Sequence, residues 1–402
     1  MLCMGSLVNP NSARNPTLLV LAGALRAALF PIPVITIFWQ EEIGMSLGDI
    51  LLLQAIFAVT TVLLEFPSGY LADRLGYRVA LITGALCSSL GWIAYAMGAT
   101  FGAMIFAEII LAIGLAFTSG ADSALLFVSF EEKDRASNYL RWEGRVRAAS
   151  QVSEAVSSGI GGWLYSLGAR LPLWLQVPAA LAGLGAVAAT AEIRSSEPTK
   201  RLEHLAHAWH IVRYALVHHA RLRSAMMLSV ALGICTYVAI WLIQPWMQKQ
   251  SIPIAWFGPL WAFAHLWLAG VSLMSARIGQ AFGVSKTLLV CCLLTGISYL
   301  GLGLSDTAVG AVFYLGFMTI RGLQGPLLAG MLQNDAPAED RASVLSLNAL
   351  LFRLTAAVAL PPIGALADLW GLEAVLQILA VATAGFALAA WGMFAQAHAT
   401  AT

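Results

Sequence analysis

The sequence predicts an all-α, polytopic membrane protein of about twelve transmembrane helices in two related six-helix bundles. Of its 402 residues, 59% are hydrophobic and only 11% are charged, whereas an average soluble domain has about 45–50% and about 25%. The mean hydropathy is +0.79. Apolar runs of about 20 residues, the length that crosses a bilayer, recur along the whole chain. Soluble enzymes, nucleic-acid-binding proteins and disordered regulators are therefore disfavoured, and no nucleic-acid partner is expected.

The apolar runs divide into two sets of six. The first bundle is predicted at residues 1–192, a cytoplasmic central loop at 193–223, and the second bundle at 224–402. In the loop, apolar residues recur at helical spacing and predict an amphipathic helix on the membrane surface, formed by Leu202, Leu205, Trp209, Val212 and Leu216. The predicted spans lie at 17–38, 50–71, 79–99, 102–122, 147–167, 171–192, 224–247, 256–276, 286–304, 308–331, 344–367 and 371–394.

The basic residues predict the orientation. With the N-terminus inside, seventeen of the 22 Lys and Arg residues fall in inside loops or termini. Only Arg170 and Lys249 fall outside, and three arginines lie within spans. Inside loops of membrane proteins carry this excess of positive charge. We therefore expect an integral multi-pass protein of the plasma membrane (the bacterial inner membrane), surrounded by lipid, with both termini cytoplasmic.

A weak internal repeat supports two related halves. The tetrapeptide Asp-Arg-Ala-Ser precedes span five at residues 134–137 and span eleven at residues 340–343. Glycines bracket the exits of the same two spans, at Gly161 and Gly168 and again at Gly364 and Gly371. Transporters are often built from such repeats.

The loop between spans two and three carries a family signature. Residues 65–78 read EFPSGYLADRLGYR. This resembles the signature loop of the major facilitator superfamily: Gly69, Asp73, Arg74, Gly76 and a following basic residue, here Arg78. The resemblance implies a secondary active transporter that moves a small organic solute by alternating access and works as a monomer. Its local sequence is also similar to that of drug exporters of the superfamily.

The resemblance also implies that this loop is a conformational latch. Gly69 and Gly76 would allow close backbone approach and a tight turn. Asp73 would cap the start of span eleven, and Asp122 at the inner end of span four could pair with Arg78. Alternatively, these charges only hold the loop at the membrane surface. In the equivalent loop between spans eight and nine the motif is eroded, because Gln280 and Ala281 replace its Asp and Arg.

Charged residues within spans are costly in lipid and usually face a cavity. Arg26 lies near the middle of span one, and the superfamily's packing would let it face Glu108 of span four, although a purely structural ion pair is the alternative. On span five, Gln151, Glu154 and Ser158 share one polar face, which either lines the cavity or packs against other helices. We expect Glu154 and Glu108 to carry the coupling protons.

The second half supplies further cavity candidates on spans seven, ten and eleven. Aromatic residues beside buried arginines suit organic substrates, and the arginines favour an anionic or zwitterionic one unless carboxylates neutralise them. These candidates are Tyr237, Trp241, Gln244, Tyr314, Arg321, Gln324 and Arg353.

Secondary transport is the function that these features favour. The sequence contains no Gly-Lys-Ser/Thr phosphate loop, and it indicates no enzyme, cofactor or metal site. Proton-coupled efflux (antiport) is favoured over proton-coupled uptake of a nutrient or metal complex, with a degenerate exporter-like glycine pattern on span five as weak support. A non-transporting membrane receptor or assembly factor is the remaining alternative.

Overall fold

The computed structural model describes residues 13–130, 135–193, 209–337 and 340–399, without the side chains of Phe66, Asp73 and Ala136. These ranges are almost entirely α-helical and contain no β-strand. The first helices are α1 (Asn15–Arg26), α2 (Ile35–Glu41), α3 (Leu47–Leu75), α4 (Tyr77–Met97), α5 (Phe101–Thr118), α6 (Ala121–Val128), α7 (Arg135–Leu167) and α8 (Leu171–Ala188). The remainder are α9 (Ala220–Lys249), α10 (Phe257–Phe282), α11 (Val284–Leu304), α12 (Tyr314–Asp335), α13 (Arg341–Trp370) and α14 (Leu372–Ala399).

The all-α polytopic membrane fold is confirmed. Within the described ranges, nine helices are long and apolar enough to cross a membrane, and each coincides with a predicted span. The other three predicted spans are helical too. The first is broken into α1 and α2, whereas α7 and α12 carry several of the polar and charged residues singled out as site candidates.

The chain folds into two compact units. The first contains Met1–Ile35 and Ile56–Thr199, and the second contains Thr36–Ala55 and Lys200–Thr402. The division along the chain therefore lies near the predicted central loop, but the segment Thr36–Ala55 belongs to the second unit. Within that unit, the Thr36 amide donates a hydrogen bond of 2.9 Å to Gln244 Oε1. Both groups are buried, so this bond fixes the start of α2 against α9.

The predicted central helix is only partly within the described residues. Leu202 and Leu205 lie outside them, while residues 209–213 are helical and continue into a π-helical turn at Tyr214–His218. Trp209 is 68% exposed, whereas Ile211 and Ala215 are buried. Ile211 and Ala215 therefore face the protein, while Trp209 of the predicted stripe lies on the outer surface, where an amphipathic helix would contact lipid.

Turns with positive φ join successive spans in both units. Gly76 has φ 102° between α3 and α4, and Gly283 has φ 84° between α10 and α11. Glycine adopts this backbone region without the steric cost that a Cβ would bring. The loop between spans eight and nine has thus lost the charges of the signature but keeps its turn. Gly69 lies inside α3 and not in a turn, and a Cβ there would meet no atom of the described residues within 4 Å.

Close glycine packing joins α4 to α5 in the first unit. A Cβ on Gly84 would lie 2.8 Å from the carbonyl oxygen of Gly114, and one on Gly114 would lie 2.9 Å from the carbonyl oxygen of Gly84. Small residues let helices approach closely in lipid, where no hydrophobic effect drives them together.

Replacing Gly84 by Ala is therefore expected to destabilise the first unit by about 1–3 kcal/mol, as overpacking does, because backbone on both sides would have to move. Thermal unfolding in detergent measures the change. Gly185→Ala is the matched control, since a Cβ at that helical position would meet no atom of the described residues within 4 Å. Equal melting temperatures for the two variants would contradict this packing.

Candidate functional site

A break in the first span positions Arg26. The helix α1 ends at this residue, and the backbone turns irregularly until α2 begins at Ile35. Pro31 and Pro33 lie in the break. Proline has no amide hydrogen to donate within a helix, so both residues favour the break. The amide of Phe30 in this break donates 3.2 Å to the Gln176 side chain of α8. A basic residue at a helix C-terminus is also favoured by the helix dipole.

A second break positions Asp122. The helix α5 ends at Thr118, Gly120 adopts φ 82°, and α6 begins at Ala121. Asp122 therefore lies in the first turn of α6, where the helix dipole favours an acidic residue. Its carboxylate is 2.7 Å from Arg26 Nη2, and the two side chains are 27% and 43% exposed, respectively. The pair is half-buried and accessible from one side.

Span five adds a second ion pair next to the first. Glu143 Oε1 and Arg147 Nε are 3.1 Å apart, and the Ser123 hydroxyl donates 3.3 Å to Glu143 Oε2. Ser123 follows Asp122 directly, so it links the carboxylates of the two pairs. The four side chains place two positive and two negative charges in one connected group.

These groups line one cavity of about 340 Å³ in the first unit. Its wall comes from α1, α4, α5, α6, α7 and α8, and it combines the two ion pairs with apolar surface and neutral polar side chains. The lining includes Arg26, Leu81, Ser88, Trp92, Asp122, Glu143, Arg147, Ser150, Gln151 and Gln176. A concave, partly apolar site with a few convergent polar groups is typical of small-molecule binding.

Two predicted pairings differ from the structure. Arg26 pairs with Asp122 rather than with Glu108, which is 6% exposed, interacts with Tyr95 and is absent from the cavity lining. Arg78 does not pair with Asp122 either, and donates 2.7 Å to the carbonyl oxygen of Ala188. The reason is the bend at Gly120, which starts a new helix at Ala121 and brings Asp122 to the end of α1.

The residues on the polar face of span five differ in their surroundings: one lines the cavity, and another is buried in the packing between helices. Gln151 lines the cavity. Ser158 is buried and donates 2.6 Å to the carbonyl oxygen of Glu154, so it serves helix packing. Glu154 is half-buried and is not part of the cavity lining. One turn further on, Gly161 packs against the Phe30 carbonyl in the break of span one.

In the second unit, the candidates on α9 pack against each other and against the start of α2. The rings of Tyr237 and Trp241 meet edge-on at 5.9 Å, and Trp241 lies 5.9 Å from Trp39. Gln244 is fully buried and accepts the hydrogen bond from Thr36. Its predicted role in a cavity is thus corrected to a structural one.

The remaining second-unit candidates lie on α12 and α13. Tyr314 and Arg321 are close enough to interact electrostatically, as their shared helical face predicted. Tyr314 is 6% exposed, while Arg321, Gln324 and Arg353 are half-buried. Their role in binding stays a prediction.

The latch residues are partly described. The side chain of Asp73 lies outside the described residues, so its capping contact with the start of span eleven stays a prediction. Arg74 lies over the Tyr70 ring, with 5.2 Å from Cζ to the ring centroid. A Cβ on Gly76 would lie 2.6 Å from the carboxyl carbon of Glu192. The absence of a side chain at Gly76 therefore leaves room for the Glu192 carboxylate beside the start of α4.

Sequence reasoning missed most of the cavity wall, including the polar and aromatic residues Ser88, Trp92, Glu143 and Gln176. Glu143 lies in the segment before the predicted fifth span, where charges usually mark the aqueous surface. The Ser-Gly pair at residues 119 and 120 was the available signal for the bend that places Asp122. Among the described residues, no group of three or more His, Cys, Asp or Glu side chains could hold a metal ion.

Comparison with known proteins assigns the family. The family profile of the Major Facilitator Superfamily matches residues 18–360. The chain belongs to the major facilitator superfamily. It is a multi-pass membrane transporter, as the fold and the predicted signature loop indicated.

Two curated superfamily relatives match parts of the chain. The quinolone resistance protein NorA of Staphylococcus aureus is 23% identical over 143 residues, which cover 36% of this chain and 36% of NorA. The vesicular acetylcholine transporter unc-17 of Caenorhabditis elegans is 29% identical over 103 residues, covering 26% of this chain and 19% of that protein. The matches thus span about a third or less of these relatives.

Solved structures share the whole fold. The nucleoside transporter NupG superposes with a TM-score of 0.76 at 12% identity and covers 96% of this chain and 99% of that chain. A bacterial homologue of the human lysosomal transporter Spinster, in an inward-facing and unoccupied conformation, gives a TM-score of 0.74 at 16% identity with 98% coverage of both chains. At these identities the likeness shows the fold alone.

Proposed function

We propose that this transporter exports a small organic solute with a positively charged nitrogen in exchange for protons, and that Asp122 is the group for which the solute and the proton compete. The observation that carries this proposal is the charge-balanced cavity of the first unit, where Asp122 faces Arg26 at 2.7 Å.

Cavity size and lining define the solute class. A volume of about 340 Å³ is at the lower end of the roughly 300–1,000 Å³ of small-molecule sites. Trp92 offers an aromatic face, on which a cationic nitrogen gains cation–π attraction. Because charges of both signs line the wall, a zwitterion can engage Asp122 through its ammonium and Arg26 through its carboxylate. The relative unc-17 is named for acetylcholine, which carries a quaternary ammonium group.

The sign of coupling follows from the Arg26–Asp122 pair. A proton on Asp122 removes the negative charge that would bind an ammonium group. The proton and the cationic solute therefore cannot occupy the site together. A transporter with such a site exchanges the solute on one side of the membrane for protons on the other. For a purely anionic solute the sign reverses, because protonation of Asp122 releases Arg26 to bind the anion and both load together. That second case is proton-coupled uptake, the alternative that Arg321 and Arg353 in the second unit favour.

Glu154 and Glu108 have a different place in this proposal. Glu108 lies outside the cavity lining and interacts with Tyr95, so we assign it a structural role. Glu154 is half-buried and lies less than one helical turn after Gln151, which does line the cavity. We keep Glu154 as a secondary proton carrier on the route beyond the cavity.

Binding measured against pH tests the sign of coupling. Purified protein is titrated at a series of pH values with acetylcholine as the cation, a dipeptide as the zwitterion and benzoate as the anion. Cation affinity is expected to fall as the pH drops, because the proton and the cation compete for Asp122, whereas anion affinity rises. In Asp122→Asn the pH dependence of cation binding is expected to vanish, while Glu108→Gln keeps it. Stronger cation binding at low pH would contradict the exchange proposal and favour uptake.

A further inference from the structure

The N-terminal part of α7 extends beyond the hydrocarbon layer of the membrane. The helix has 33 residues, which at about 1.5 Å per residue make about 50 Å, whereas the hydrocarbon layer is about 30 Å thick. Arg145 and Arg141 precede residue 147, where the predicted span begins, by about 3 Å and about 9 Å along the helix axis. The headgroup layer on each side is about 5–8 Å deep. The two arginines therefore lie at the height of phospholipid headgroups.

Arg141 and Arg145 also lie on the side of α7 that faces lipid. Both are exposed. At about 100° per residue they share an arc of about 80° with four apolar residues further along the helix. Each of these four is more than half exposed, and exposed apolar surface of this kind marks contact with lipid. They are Val152, Val156, Trp163 and Leu167. A continuous stripe thus leads from the acyl chains to the two arginines.

The described part of the chain supplies no carboxylate to either arginine. Glu143 lies between them in sequence but is directed to the cavity, where it pairs with Arg147 at 3.1 Å and accepts a hydrogen bond from Ser123. Neither Arg141 nor Arg145 forms an ion pair with another described residue. Like charges four residues apart on a helix repel each other. An anion bound between the two guanidinium groups would remove this repulsion.

Trp142 holds one of the two guanidinium groups in place. The Cζ atom of Arg145 lies 4.5 Å from the centroid of the Trp142 ring. Trp142 is half-buried and packs against the core of the first unit, which includes Leu81 and Leu125. A guanidinium group that stacks on an aromatic ring keeps the N–H donors along its edge available, and these donors match the oxygens of a phosphate.

We propose that the surface formed by Arg141, Trp142 and Arg145 binds the headgroup phosphate of an anionic phospholipid, whose acyl chains lie along the apolar stripe of α7. Anionic headgroups attract basic side chains at the membrane surface, whereas the ammonium group of phosphatidylcholine cancels the charge of its phosphate. A soluble phosphate would gain nothing from the stripe. In the predicted orientation this lipid belongs to the cytoplasmic leaflet.

The proposal goes beyond the proposed function, because it concerns the side of α7 that faces away from the cavity and makes no claim about direction or coupling. Its test is lipid retention by the full chain in detergent, measured by native mass spectrometry. The probes are phosphatidylglycerol and phosphatidylcholine with identical acyl chains. No transport step is involved, so the failure of this proposal and the failure of the export proposal are distinguishable.

The unmodified protein is expected to retain phosphatidylglycerol about tenfold better than phosphatidylcholine. The double variant Arg141→Gln, Arg145→Gln is expected to lose most of this preference. The matched control is Arg277→Gln, Lys286→Gln, which removes the same charge from two exposed residues of the second unit and is expected to keep the preference. Glycerol 1-phosphate, which has the phosphate without acyl chains, is expected not to displace the lipid.

Three results would overturn the proposal. Equal retention of the two lipids by the unmodified protein would show that no anionic headgroup is selected. An equal loss of preference in both double variants would show attraction by the basic surface as a whole. Displacement of the lipid by glycerol 1-phosphate would make a soluble anion the ligand. The first and third results need no variant, so the proposal stays testable even if a substitution prevents folding.

Discussion

Replacing Asp122 by Asn will reduce solute flux driven by a pH gradient by about tenfold or more, while solute exchange without a gradient persists. The substitution keeps the size of the side chain and its place in the first turn of α6, but removes the charge 2.7 Å from Arg26. The Asn amide does not take up or release a proton, so it cannot alternate between binding a proton and binding a cationic solute. Each factor of ten corresponds to about 1.4 kcal/mol of coupling.

Glu143→Gln is the matched control, because it removes a carboxylate from the same cavity without touching the Arg26 pair. This variant is expected to change apparent solute affinity and to keep the response to pH. Proteoliposome flux with and without an imposed gradient measures both variants. If Asp122→Asn remained gradient-driven and Glu143→Gln did not, the proton carrier would be Glu143 and our assignment would be wrong.

Replacing Gly364 by Leu will reduce turnover by about tenfold or more, because overpacking of about 1–3 kcal/mol disfavours the close approach of α13 to the start of α3. Within the second unit, a Cβ on Gly364 would lie 2.8 Å from the Gly48 Cα and 3.0 Å from the Leu47 carbonyl oxygen. One turn further along α13, Asp368 accepts hydrogen bonds of 2.7 Å from the Ser46 hydroxyl and 3.0 Å from the Gly48 amide. A larger side chain removes this close approach.

We expect the contact between the start of α3 and α13, which lies within the second unit, to open and close during the transport cycle. A leucine that blocks its formation is expected to leave the contact open. A cysteine introduced by Ser46→Cys, in a background without the native cysteines, measures how open this contact is. We expect it to be alkylated faster when Gly364→Leu is also present. Gly385→Leu is the control, since a Cβ there would meet no atom within 4 Å. Slow alkylation and normal turnover in Gly364→Leu would show that the contact is static.

The fold was predictable because it depends on averages over many residues. Span length, apolar composition and the distribution of arginines each sum over about 20 positions, so single unusual residues do not change the outcome. The breaks at Pro31 and Pro33 were predictable as well, because proline acts through its own backbone.

The partners within the site were less predictable, because they depend on a few torsion angles. The superfamily's packing of spans one and four led us to expect Arg26 opposite Glu108. The positive φ of Gly120 instead divides span four and brings Asp122 to Arg26. Likewise, the polar character of Gln244 and Ser158 indicated a cavity, whereas each makes a hydrogen bond inside the protein. Sequence alone does not tell a polar group that awaits a solute from one whose partner comes from a distant helix.

The central claim is exchange of an organic solute for protons at Asp122. Its most direct test is solute movement in proteoliposomes under an imposed pH gradient, with the solute recovered from protein purified from native membranes and identified by mass spectrometry. We predict that the solute moves uphill in the direction opposite to proton flow, and that Asp122→Asn reduces this movement by about tenfold or more. Uphill movement of the solute in the same direction as the protons would contradict exchange at Asp122, and so would solute accumulation that is independent of the pH gradient.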